Sequence, residues 1–73
     1  MANHARVAQS FVDGRPDRAG AMYSTGRELF SYALRLAHRD TAGVHWDVDP
    51  APGQQVSATT AHHVGALRRV LGV

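Results

Sequence analysis

The segment Val44-His45-Trp46-Asp47-Val48-Asp49 constrains this chain more than any other. Apolar and polar residues alternate along it with period two, the pattern of a strand with one face buried. Pro50 and Pro52 end it. A strand cannot stand alone, because its backbone donors and acceptors need partners, and even an isolated two-stranded hairpin is marginal in water. The segments just before it must therefore supply further strands.

The longest run rich in large apolar residues, Ser24 to Arg39, reads two ways by itself. As a helix it has a capping box, Thr25 with Glu28 three residues on, and a face of Leu29, Tyr32, Ala33, Leu36 and Ala37. As a strand, Phe30, Tyr32, Leu34 and Leu36 alternate with Leu29, Ser31, Ala33 and Arg35. Local propensity favours the helix; the Trp46 segment's need for partners decides for the strand. Residues 21–24, 28–39 and 44–48 then form an antiparallel meander, turning at Thr25-Gly26-Arg27 and at Asp40-Thr41-Ala42-Gly43. Trp46 is expected at the centre of the core and Tyr32 beside it, its hydroxyl at the surface.

Helices bracket the meander. Asn3 suits an N-cap, Val7 and Phe11 share a helical face, and Gly14 suits the C′ position, which predicts a helix over 3–13. Arg15 to Gly20 reads as a loop, since Pro16 pushes Arg15 out of helical geometry. Residues 50–55 read as a second loop and Val56-Ser57 as a short extended piece. Ser57, Thr59 or Thr60 then caps a last helix in which Val64, Leu67, Val70 and Leu71 share a face, with His63 at its edge. Arg68 and Arg69 suit its C-terminal end. Gly65 costs roughly 1 kcal/mol against Ala inside that helix, a cost that a close approach of helix to sheet would explain. The expected fold is α+β: an N-terminal helix, a three-stranded antiparallel meander, and a C-terminal helix packed on the sheet.

Seventy-three residues make one small domain, with stability of order 3–5 kcal/mol. There is no cysteine to staple it, so tight packing or self-association must hold it. All eight basic side chains are Arg, and the formal charge is only +2, too slight a balance to argue for nucleic acid. No run approaches the roughly 20 apolar residues of a membrane span. No basic region followed by an apolar run marks the N-terminus, so neither a signal peptide nor a membrane partner is expected.

Ser24-x-Gly26-x-x-Leu29-x-Ser31-Tyr32, then Leu36-Ala37, then Ser57-x-Thr59-Thr60-x-x-His63 resemble a family of small, uncharacterised bacteriophage proteins, notably of actinobacteriophages. The opening Asn3, Val7-Ala8 and Phe11 are similar to that family's N-terminal helix. The chain departs from it at Ala33, where the family commonly has Gly, and at Val56, where it commonly has Tyr. The resemblance implies a helix, a β-meander and a closing helix, and a phage or prophage origin. That origin in turn implies the cytoplasm of an infected bacterium. It carries no activity with it.

The residues themselves offer one cluster, Ser57, Thr59, Thr60, His62 and His63. Hydroxyls and free N–H groups at a helix N-terminus can hold an anion such as phosphate. Arg18 or Arg27 could add charge from neighbouring loops. With Arg68 and Arg69, this is the basis for a nucleic-acid or phosphate-binding module; the two arginines, however, sit at the far end of the helix. The simpler reading is that Ser57 or Thr59 only caps the helix. No nucleophile motif frames any Ser. The five His show no zinc-ligand spacing, and His62 and His63 point to different helix faces. His45 and Asp47 share a strand face as i and i+2, a solvated pair rather than a site. No catalysis, metal or cofactor is expected. The preferred expectation is a non-catalytic accessory protein that binds a host or phage protein, or a second copy of itself. The expected contacts are its strand edges and a surface formed by Leu29, Ala33 and the central strand.

Overall fold

A computed structural model describes residues 3–51, 53–55 and 57–73. The chain runs α1 (His4–Val12), β1 (Pro16–Ala19), β2 (Met22–Thr25), β3 (Glu28–Ser31), β4 (Leu34–Asp40), β5 (Gly43–Trp46) and α2 (Ala58–Leu71). The class is the α+β expected, but the meander has five antiparallel strands in the order β1-β2-β3-β4-β5, not three. Two readings are corrected. Arg15 to Gly20 is not all loop: Pro16–Ala19 is an edge strand paired with Met22–Thr25. The span 28–39 is not one strand: it folds back at Tyr32-Ala33, so that Ser31 pairs with Leu34.

Strand length and loop length together make this ribbon regular. β1, β2 and β3 have four residues each, and two-residue links (Gly20-Ala21, Gly26-Arg27, Tyr32-Ala33, Thr41-Ala42) join each strand to the next. Short hairpin links need a residue at positive φ to match the twist of the strands they join. Gly20 (φ 62°) and Gly26 (φ 98°) supply it at the first position of their links. Tyr32, at φ 56°, supplies it at the third, and is the only non-glycine residue in that region among those described.

Antiparallel register sorts the side chains between two faces. One face carries the rows Asp17–Ser24–Leu29–Ala37–Trp46 and Ala19–Met22–Ser31–Leu34. A bulge at Leu29/Phe30 turns both Leu36 and Ala37 inward on this face. α1 packs on it over β1, β2 and β3, and α2 packs on α1. Val7, Ala8 and Phe11 of α1 and Val64, Ala66 and Leu67 of α2 close the core with Met22, Leu29, Leu36 and Ala37.

Trp46 does not sit at the centre of that core. It is half-buried on the edge strand, against the cluster's flank with Val44 and Val48. Tyr32 does not join the core either; it is 59% exposed at its hairpin tip. Gly65 marks no close approach, since a Cβ there would meet nothing within 4 Å.

The helix ends follow the residues expected to make them. Asn3 accepts from the Arg6 N–H at 2.9 Å, and Gly14 takes φ 78° just past α1. Ser57, in extended conformation, accepts from the Thr60 N–H at 3.1 Å. Val56 lies outside the described residues. Arg6 and Ser10 on α1 both reach Asp17 on β1, at 2.9 and 3.0 Å, and clamp the helix to the edge strand. The Arg6 hydrogen bond and the Arg18 N–H hold the Asp17 carboxyl below its ordinary range.

Candidate functional site

The Ser57–His63 cluster is brought together, but inward. Ser57 caps the helix, and Thr59 and His62 lie exposed on its first turns. Thr60 and His63 are buried and point to the β3–β4 hairpin. The Ser31 hydroxyl stands 3.1 Å from Thr60 Oγ1 and 2.6 Å from His63 Nδ1. Of the hydroxyls that sequence reasoning offered to an anion, Thr60 is thus engaged by Ser31 and Ser57 by the Thr60 N–H, which leaves Thr59 facing solvent. Arg68 and Arg69 lie in the last turn of α2, remote from this node.

His63 is 0% exposed, and its Nε2 has no partner among the described residues. Either tautomer leaves that nitrogen unmatched, as a bare donor or a bare acceptor, because Ser31 engages only Nδ1. The His4 ring meets the His63 ring edge-on, with centroids 4.4 Å apart. Burial pushes the His63 pKa down to about 4, and the neighbouring His4 and His62 add to the shift. The imidazole is held neutral, tying α2 to the sheet.

The sheet's other face carries no helix. Its central row, across four strands, is Arg18–Tyr23–Phe30–Arg35. The Tyr23 and Phe30 rings stack at 4.9 Å and 10°, and the Arg18 guanidinium lies 4.8 Å from the Tyr23 centroid. Arg35 bridges Glu28 at 3.2 Å and Asp47 at 3.0 Å. His38 also reaches Asp47, at 2.9 Å, and stacks on His45, which reaches Asp40 at 2.8 Å. Partial burial alone would raise the Asp47 carboxyl; the His38 hydrogen bond and the Arg35 charge outweigh it and keep it low. The His45 hydrogen bond keeps Asp40 low as well. His45 and Asp47, read as a solvated pair, each belong to a wider hydrogen-bonded net on this face.

Leu29, expected on a partner surface, is instead fully buried, and Ala33 is exposed in a hairpin link. Sequence reasoning missed Tyr23 and Phe30 as neighbours. The signal that could have found them is their mirror placement, each separated by two strand residues from the Gly26-Arg27 link that joins β2 to β3. Among the described residues, no group of three or more His, Cys, Asp or Glu is arranged to hold a metal ion. No described helix is long and apolar enough to cross a membrane. Comparison with family models, curated proteins and solved structures returns no match for the chain.

Proposed function

We propose that this chain is a phage-encoded, non-catalytic accessory protein that binds a host or phage protein through the helix-free face of its sheet. The observation that carries the reading is the uncovered Arg18–Tyr23–Phe30–Arg35 row. An aromatic pair framed by arginines has the composition that anchors protein interfaces. The same row argues against nucleic acid. Base stacking needs a free ring face, and one face of Tyr23 is turned to Phe30 while Arg18 lies over its ring. Phosphate binding needs several uncompensated cations, and with Arg35 matched by Glu28 and Asp47 the row keeps only Arg18 without a carboxylate among the described residues. The phage origin rests on the sequence resemblance alone.

A photo-crosslinking amino acid at Phe30, compared with one at Ala61 on the outer surface of α2, tests the proposal in infected or lysogenic cells. A discrete crosslinked protein at position 30, displaced by excess wild-type chain but not by a Phe30→Asp variant, is the expected result. Equal labelling at both positions, or none at position 30, overturns it.

A further inference from the structure

We infer that the cleft at the Gly26-Arg27 end of the sheet is a binding site for a small phosphorylated ligand, gripped by Arg27 and Arg39. This site is separate from the open face. Arg39 follows His38, the partner of Glu28, and its N–H donates to the Arg27 carbonyl at 2.7 Å. The two arginines thus stand opposite each other where the β2–β3 link meets β4. Like charges in that position are destabilising. Three of the other arginines meet carboxylates, Arg6 with Asp17, Arg15 with Asp13 and Arg35 with Glu28 and Asp47, while among the described residues Arg18, Arg68 and Arg69 have no such partner and line no cleft with a second arginine. Neither Arg27 nor Arg39 has a carboxylate partner among the described residues.

The pair lines a cavity of about 380 Å³ with Asp40 and Thr41. That volume holds a phosphate and part of the molecule it is attached to. Arg39 is positioned in advance. It is half-buried, and its Nη1 donates to the Gly26 carbonyl at 3.2 Å. It also occupies the space a side chain at Gly14 would need, 2.8 Å from a Cβ built there. Its remaining N–H groups have no protein acceptor among the described residues. Guanidinium forks match phosphate oxygens in pairs, and the Thr41 hydroxyl is a further donor. Asp40 is the one opposing charge in the lining; its Oδ1 is engaged by the Ala42 N–H and by His45, both at 2.8 Å. A bound phosphate would relieve the Arg27–Arg39 repulsion that the free protein carries.

The test is an NMR titration of the full ¹⁵N-labelled chain with inorganic phosphate, adenosine monophosphate and a short single-stranded oligonucleotide, at constant ionic strength. The expected result is saturable shifts at Arg27, Asp40 and Thr41, with the nucleotide binding at least as tightly as phosphate. Arg27→Gln, an exposed change that leaves the core alone, weakens binding roughly tenfold. Asp40→Asn, which removes the opposing charge, strengthens it. Arg39→Gln abolishes it, provided the spectrum remains that of a folded chain. Shifts confined to the start of α2, or affinity unchanged in Arg27→Gln, overturn the assignment. Oligonucleotide binding that is far tighter and falls steeply with salt overturns the small-ligand assignment in favour of a nucleic-acid backbone.

Discussion

His63 and the pair His38/His45 lie on opposite sides of one sheet and meet opposite environments. His63 is sealed between α2 and the β3–β4 hairpin, where burial and the neighbouring His4 and His62 disfavour its charged form. His38 and His45 stand among carboxylates on the open face, 2.9 Å from Asp47 and 2.8 Å from Asp40. The covered side is consequently specified by volume, its one inward carboxylate, Asp17, being answered at the edge by Arg6 and Ser10. The open side is specified by charge pairs, each individually weak because it is solvated. Stability should therefore reside on one side of the sheet, leaving the other free to serve recognition.

Adjacent residues on β3 give the most direct attack on that division. Leu29 is fully buried under the helices; Phe30, next to it, faces outward. Leu29→Ala should cost about 2–5 kcal/mol, comparable with the whole stability of a chain this small. It should leave the protein largely unfolded at 25 °C. Phe30→Ala should cost only about 1–2 kcal/mol, from a half-buried ring and its stacking on Tyr23. Urea denaturation followed by circular dichroism measures both. Equal losses would show that the open face is part of the core in all but position.

The histidines sharpen the comparison through pH. His63 has its pKa pushed from 6.5 down to about 4 in the folded chain. Between those values the unfolded chain takes up a proton that the folded chain refuses, so stability is fully present above pH 6.5 and falls as the pH drops toward 4. The loss amounts to at most about 3 kcal/mol. His63→Phe should remove this slope while keeping a ring in the space. The carboxylates of the open face act lower down. Asp40 and Asp47 have pKa values lowered from 3.8, so their contribution is present above 3.8 and is lost only as the pH falls through their depressed values. A stability profile in which His63→Phe still declines from pH 6.5 to 4 would show that His63 is not the group responsible, since the open-face carboxylates act only below 3.8.

The parts of this fold legible in the sequence are those in which one local signal needed no competitor. Asn3, Gly14 and Ser57 mark helix ends because capping is decided within a few residues. The Trp46 strand showed because its alternation is clean, and it correctly required strands before it. β1 was hidden because an edge strand needs little burial: Pro16-Asp17-Arg18-Ala19 has no large apolar residue, and its inward charge is answered by Arg6 and Ser10 on α1. The Ser31–Thr60–His63 node was half legible. Its hydroxyls and imidazole stood out as a group, but whether a helix N-terminus faces solvent or a hairpin depends on tertiary packing. The open-face row was invisible, since it joins residues from four strands whose register the two-residue links set.

The link at Tyr32-Ala33 was the hardest to see, because its first position lacks the residue its geometry favours. Gly20, Gly26 and Tyr32 are spaced six apart and fill the same slot in three successive hairpins, yet only the third carries a side chain at positive φ. Holding a non-glycine residue in that region costs about 1–2 kcal/mol. Glycine avoids this but is freer in the unfolded chain, a loss of roughly 0.5–1 kcal/mol. With the Tyr32 ring 59% exposed, little packing is surrendered. Tyr32→Gly should therefore stabilise the protein slightly, by about 0.5–1 kcal/mol, a rise in urea midpoint with unchanged slope. The ring's one close aromatic neighbour is His63, with centroids 6.5 Å apart. If Tyr32→Gly destabilises instead, the strained tyrosine is shielding the buried imidazole, and the fall in stability below pH 6.5 should then be smaller in the variant and level off at a higher pH than in the wild type.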